Sequence, residues 1–207
     1  ITNASVEDIL ATKTVSLNGK DYNKSVIIPG DGYELVRLGD ICKIHPKSKR
    51  PASTGKSKGK YKFYTSSENV KFSEYCDFKE KHIIIGDGGK GSLHMDKNFS
   101  CSDHNYVLSM PNLKIYYYLL KGLPFLLEDG FTGSVLKNIS KDYLKNIEIP
   151  VPTAPQKIQF WTDKISEPYY EKQTKEVRIK ELEKEVQDRI IEITETEDCE
   201  EVELGEV

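Results

Sequence analysis

Cysteine is scarce in this chain and what there is lies scattered: Cys42, Cys76, Cys101 and Cys199 stand singly among 207 residues. No Cys-x-x-Cys pair occurs, so the sequence encodes neither a zinc-type cluster nor a dense disulfide framework, and reduced thiols are the expected state. No apolar run approaches the ~18 residues that a membrane span requires. The opening Ile1-Thr-Asn-Ala-Ser-Val-Glu-Asp8 lacks the basic start and apolar stretch of a signal peptide. A soluble, cytoplasmic protein is expected. The absence of an initiating Met fits an excised or processed segment.

Catalytic constellations are missing as well. The histidines, His45, His82, His94 and His104, fall into neither HxxxH nor HExxH spacing, and Glu-x-Lys does not occur. No Asn/Asp-Pro-Pro-aromatic motif for adenine methylation is present, and no glycine-rich dinucleotide or methyl-donor loop follows a strand. Gly55-Lys56-Ser57 ends like a Walker A loop, but Arg50 occupies the place of its first glycine. In Gly88-Gly-Lys-Gly-Ser92 the lysine precedes Gly91 instead of following it. Asp87, His94, Asp96 and His104 have no spacing that demands a metal. The expectation is a chain with no cofactor, no metal and no enzymatic site.

Charge is abundant and segregated. The net charge of −3 speaks at first against nucleic acid, but residues 43–62 carry Lys43, Lys47, Lys49, Arg50, Lys56, Lys58, Lys60 and Lys62 with no acid among them. The end of the chain, from Glu192 to Val207, carries acids and no Lys or Arg. A local patch, not the whole-chain sum, is what meets phosphate.

Punctuation and periodicity divide the chain. Ser5 can cap a short helix, Asn18-Gly19 reads as a tight turn, and Pro29-Gly-Asp-Gly32 marks a boundary. From Tyr33 the texture is strand-rich: Tyr33–Leu38, Tyr61–Val70, Lys81–Ile85 and Asn105–Met110 read as strands, with a long polar loop at 46–60. Lys114–Lys121 with Gly122 behind it reads as a helix, and Ser140-Lys-Asp as a polar turn. After Pro155 the apolar positions recur at helical spacing, are interrupted near Pro168, and resume at Ile179, Leu182, Val186, Ile190 and Ile193. The expected class is α+β, with a strand-rich globular domain at 31–153 and a long amphipathic, coiled-coil-like helix at 154–193. Residues 1–30 form an extension or linker, and 194–207 an acidic linker. Within that linker Glu34-Leu-Val-Arg-Leu-Gly-Asp-Ile41 is echoed by Glu200-Glu-Val-Glu-Leu-Gly-Glu-Val207, as though a second repeat begins there.

The order of motifs carries a resemblance. Tyr33-Glu-Leu-Val-Arg-Leu-Gly-Asp-Ile41, Phe63-Tyr-Thr-Ser66, Ile83-Ile-Ile-Gly-Asp-Gly-Gly-Lys-Gly-Ser92 and Ser102-Asp-His-Asn-Tyr-Val-Leu108 come first. Asp129–Ser140, Leu144-Lys-Asn-Ile-Glu-Ile-Pro-Val-Pro152 and Pro155-Gln-Lys-Ile158 follow. This succession resembles the DNA-specificity domain of type I restriction–modification S subunits over residues 33–193. It departs from many members at Val135 and Leu136, where they carry a polar residue. The resemblance implies a non-catalytic target-recognition domain that reads one half of a split DNA site. It further implies a helix that spaces it from a second such domain, and partnership with adenine-methyltransferase and restriction subunits. Two alternatives stay open: the recognition segment of a fused adenine methyltransferase or nuclease, and a helix-mediated protein-interaction module.

On that reading the DNA-contacting candidates are Lys47, Lys49, Arg50, Lys56, Lys58 and Lys60 of the basic loop, as phosphate donors. Ser66 and Ser67 belong to the same set, as do Lys90, Gly91 and Ser92 in the glycine-rich turn. His104 and Asn105 are candidates for base edges, Asn being suited to adenine. Thr132, Gly133 and Ser134 offer hydroxyls or turn backbone. Each has a plainer reading: a solvated lysine loop, strand-connecting turns, and a polar strand start with a structural hydrogen bond. The seam Ile179, Leu182, Val186, Ile190 and Ile193 is expected to face another helix, a homodimer through it included.

Overall fold

The structure, a computed structural model, describes residues 6–11, 27–89, 91–132 and 137–195. Ser5, the Asn18-Gly19 turn, Lys90, Gly133, Ser134 and the repeat at Glu200–Val207 lie outside them. Ile1–Thr162 makes one compact unit and Asp163–Val207 a second. Among the described residues no helix is long and apolar enough to cross a membrane.

The elements in chain order begin with α1 (Val6–Ala11), β1 (Tyr33–Arg37), α2 (Leu38–Ile41) and β2 (Lys43–Ile44). A single 3-10 turn at Ala52–Thr54 precedes β3 (Tyr61–Tyr64), β4 (Lys71–Ser73), β5 (His82–Gly86), β6 (Leu93–Asp96), β7 (Phe99–Cys101) and β8 (Asn105–Ser109). Then come α3 (Leu113–Gly122), α4 (Phe125–Glu128), β9 (Phe131–Thr132), β10 (Asn138–Ile139), α5 (Lys141–Asn146), β11 (Glu148–Pro152) and α6 (Pro155–Glu195).

β5 is the centre of the fold. His82–Gly86 is buried at every position, as a continuous apolar strand covered on both faces should be. Successive side chains point to opposite faces. Ile83 and Ile85 accordingly enter the main core with Leu38, Leu108, Ile115, Leu120 and Leu144. Ile84 enters a smaller one with Tyr64, Phe99, Cys101 and Val107. β5 pairs antiparallel with β6 and β8, and β2 adds outside β8. A second sheet of order β4-β3-β7 joins β3 and β7 in parallel, Phe63 opposite Ser100.

β1 and β11 pair antiparallel, Tyr33 with Pro152 and Arg37 with Glu148, which ties the start of the domain to its end. Behind this ribbon Leu38 is fully buried and its N–H donates to the Ile147 carbonyl at 2.8 Å. Gly39 is where α2 meets α5: a Cβ there would lie 2.9 Å from the carbonyl oxygen of Lys145. The Leu-Gly-Asp motif is therefore a packing motif.

Two local readings change. The strand expected at 61–70 ends at Tyr64, and the run resumes as β4 only at Lys71. The Ser140 turn opens α5, whose N-cap hydroxyl accepts from the Tyr143 N–H at 3.0 Å. The long helix, α6, runs continuously for 41 residues with Pro168 inside it, where the apolar pattern is interrupted. Within the second unit, ion pairs such as Lys175–Glu171 (2.7 Å) and Arg178–Glu181 (3.1 Å) lie along its exposed surface. Such pairs contribute a few tenths of a kcal/mol each.

Candidate nucleic-acid interface

The end of β5 converges with loops from three other parts of the chain. Asp87, 6 % exposed, is the junction. Its N–H donates to the His104 carbonyl at 3.0 Å, and its own carbonyl accepts from the Ile139 N–H at 2.9 Å. Its carboxylate takes the Lys47 ammonium on Oδ2 and faces His104 Nδ1 at 3.3 Å on Oδ1. Lys47 also lies 4.5 Å from the centre of the Tyr106 ring, whose hydroxyl donates to the Ile139 carbonyl at 3.2 Å. A bridge between Gly88 and Asn138 adds a further tie. A buried carboxylate thus holds two cationic or polar side chains that themselves stay exposed, Lys47 at 40 % and His104 at 60 % of their side-chain surface.

The basic loop is more ordered than its composition implies. Arg50 is its anchor: Nε donates to Asp77 Oδ2 at 2.8 Å, Nη2 to Oδ1 at 2.9 Å, and the guanidinium lies 3.7 Å over the Tyr75 ring. The Arg50 carbonyl accepts from the Asp103 N–H at 2.9 Å. Its hydrogen bonds to Asp77 raise the guanidinium pKa further. Arg50, expected as a phosphate donor, is thus committed to the fold, because a bidentate partner and a stacked ring satisfy its planar fork. Further along, Lys56 exchanges main-chain hydrogen bonds with Phe72 at 2.9 Å. Lys56, Lys58 and Lys60 therefore belong to the β4 side of the domain. Lys49, Lys56, Lys58 and Lys60 are exposed. Among the described residues Lys49, Lys56 and Lys58 make no ion pair, and Lys60 stands 5.4 Å from the Tyr61 ring centre.

The other candidates divide. Ser67 and Thr132 are exposed and Ser66 is half-buried. Asn105 is 1 % exposed; its Nδ2 donates to the Tyr64 carbonyl at 3.1 Å and to Ser102 Oγ at 2.9 Å. Asn105 therefore cannot present an amide to a base: its neighbour His104 takes the outer position and Asn105 the inner one. Ser92, 1 % exposed, donates to the Thr65 carbonyl at 3.3 Å and is likewise removed from the surface. Gly91 has φ +72°, and a Cβ there would meet the Phe131 ring at 2.6 Å, so its glycine serves a close approach. Residues that sequence reasoning passed over for this role are Asp77, Tyr75 and Tyr106, and Asp87, which was weighed only as a metal ligand. The one signal for Asp87 was an acid set in glycines directly after a buried strand.

The remaining polar groups are structural. Tyr64 donates to Asp96 Oδ2 at 2.6 Å while Lys62 reaches the same carboxylate at 2.9 Å. Burial works against the charge of Asp96, but these bonds hold its carboxyl below the usual carboxylate range. The His94 ring lies tilted against Tyr64 with centres 4.7 Å apart, and its buried Nε2 has no hydrogen-bond partner among the described residues. Cys42, Cys76 and Cys101 are free thiols. Burial pushes Cys42 up to about 11 and Cys101 up to about 12, so both stay protonated at neutral pH. No cluster of three or more His, Cys, Asp or Glu capable of holding a metal occurs among the described residues.

The first unit is thus a mixed α/β domain whose start and end are tied by a two-stranded ribbon and which carries an exposed lysine-rich loop. Residues 30–184 match the type I restriction modification DNA specificity domain, and the chain belongs to that family. It is 30 % identical over 100 residues to a type I specificity subunit of Mycoplasma genitalium, covering 44 % of this chain and 26 % of that protein. The crystal structure of a type I restriction–modification S subunit from M. genitalium is similar at TM-score 0.66 and 19 % identity, over 76 % of this chain and 44 % of that one. A second structure, from work on assembly and conformational transition of the type I system, gives TM-score 0.51 at 18 % identity, over 82 % of this chain and 46 % of that one. The chain thus spans less than half the length of each of these relatives.

Proposed function

We propose that this chain is a non-catalytic DNA-reading module that selects one half of a split target site for an adenine-methyltransferase complex. Family membership supports the reading, and the observation that carries it is the junction at Asp87. There, four segments of the chain are locked together and two polar side chains face outward. Lys49 in the same loop and the exposed Lys56, Lys58 and Lys60 supply phosphate contacts, which fix register without reading sequence. The bases are read from the junction itself, because rigid supports give precise placement.

The helix serves assembly. Ile179, Leu182, Val186, Ile190 and Ile193 are between 43 % and 62 % exposed along the second unit, an apolar seam at helical spacing. It docks a partner helix, from a second recognition domain or from another copy of this chain, and gives the methyltransferase and restriction subunits their purchase. The working compartment is the cytoplasm.

The test is a salt-titrated binding assay on a randomised duplex pool, with the chain alone and with a type I modification subunit. Enrichment of a short motif is expected, with affinity falling steeply as salt rises. Replacing Lys49, Lys56 or Lys58 by Ala should weaken all sequences alike and reduce the salt slope by about 1 for each contacted phosphate. Failure to enrich any motif with the partner present rejects the reading.

A further inference from the structure

We infer that Asp87 sets the tautomer of His104, so that His104 reads an exocyclic amino group on a base in the major groove. The inference rests on the DNA-reading assignment above and names the contact that does the reading. Neither residue is a catalytic residue: His104 is the specificity determinant and Asp87 its positioning residue.

The geometry begins with the turn at Asp103-His104. Its backbone is held by the Asp103 N–H to the Arg50 carbonyl at 2.9 Å and by the His104 carbonyl accepting from the Asp87 N–H at 3.0 Å. The His104 N–H reaches Ser102 Oγ at 3.3 Å. On the following residue, Asn105 is locked inward by its three Nδ2 contacts. The imidazole therefore projects from a support fixed on both sides, 60 % exposed, with Nδ1 facing Asp87 Oδ1.

Asp87 decides what that ring offers. A carboxylate only accepts hydrogen bonds, so Nδ1 must carry the proton. In the neutral ring the lone pair is then on Nε2, which has no partner among the described residues. The ring presents an acceptor outward. In the major groove the donors that meet an acceptor are the N6 amino group of adenine and the N4 amino group of cytosine, whereas guanine and thymine present O6, N7 and O4 acceptors. Lys47 on the other carboxylate oxygen holds Asp87 in place, and provides a cation beside the reader for the adjoining phosphate.

The experiment uses the full chain with a type I modification subunit and sequences the duplexes selected by wild type, His104→Ala and Asp87→Asn. For His104→Ala the preference at one base-pair position should fall by roughly tenfold, with the remaining positions kept. Asp87→Asn preserves shape, but its amide can donate to Nδ1, which moves the proton to Nε2. Its preference at that same position should shift toward acceptor-bearing bases. A duplex carrying an analogue without the exocyclic amino group at that position should cost wild type roughly tenfold and His104→Ala less than about twofold. Equal weakening on all sequences by His104→Ala would make it a phosphate contact and overturn the inference while leaving the DNA reading intact. An unchanged motif in both variants overturns it too. Absence of any enriched motif for wild type removes the DNA reading itself. Melting curves that match wild type show that the variants are folded, and His104, being exposed, is the safe substitution.

Discussion

Arg50 and Asp77 form a two-pronged ion pair, Nε to Oδ2 at 2.8 Å and Nη2 to Oδ1 at 2.9 Å, that closes the basic loop onto the strand connection beyond β4. The pair spends the most strongly basic side chain of the loop on the fold. Both side chains are about a third exposed, so solvent screens the attraction. Arg50→Lys should cost about 1 kcal/mol or less of stability, and a double-mutant cycle with Asp77→Ala should recover the coupling. The salt slope of DNA binding should not change. A slope lowered by about 1 in Arg50→Lys would put Arg50 on a phosphate instead.

Stability should depend on acid through two half-buried histidines, His45 and His94. Burial, then the neighbouring charges of His82 and Lys43, lowers the His45 pKa from 6.5, and burial lowers that of His94 from the same value. The unfolded chain then takes up these protons first as pH falls, so the folded state loses ground. Stability is full above about pH 6.5, the value for an unperturbed imidazole, and declines below it. Asp96 adds a second decline at lower pH, since its depressed pKa contributes stability that is lost as the carboxyl protonates. Thermal midpoints measured from pH 7.5 to about 2.5 should show both declines, with a flatter profile between 7 and 5 for His94→Gln. A midpoint that rises between 7 and 5 in wild type contradicts it.

Gly39 should tolerate no side chain. A Cβ placed 2.9 Å from both the Lys145 Cβ and its carbonyl oxygen forces α2 away from α5. Gly39→Ala should destabilise by about 1–3 kcal/mol, as overpacking does. Urea unfolding checks this, and a variant as stable as wild type would mean that the two helices part easily.

The exposed seam on the long helix should govern association. Leu182→Glu and Ile190→Glu should abolish self-association or capture of the partner subunits, since charge at such positions opposes helix pairing. The intrinsic fold of the first unit should be unaffected. Sedimentation of wild type and variants gives the answer; identical distributions at high concentration would leave the seam without a role in pairing.

Much of the fold was legible because its signals are local. Ile83-Ile84-Ile85 reads as a covered strand, Lys114–Lys121 with its glycine reads as a helix, and the spacing from Ile179 to Ile193 shows the long helix. Pro168 does not end the helix, since a proline bars only one hydrogen bond and crowds the preceding turn, and strong helical sequence on both sides carries α6 through it. The parallel pairing of β3 with β7 had no local trace, because it joins segments far apart in sequence.

Residue type and periodicity by themselves determined the class, the strand-rich domain with a trailing helix, and the charge footprint. The ordered motifs determined the family. Only the tertiary structure decided which candidates reach the surface. His104 and Asn105 are neighbours with equally suitable chemistry. His104 lies in the turn before β8 and Asn105 is the first residue of that strand, and which of the two faces the core depends on distant pairing partners. In the same way only the fold could bring Asp77 to Arg50 and Asp87 to Lys47 and His104. That convergence takes one lysine-rich run of uniform appearance and makes of it an anchor, a braced cation and a set of exposed ones.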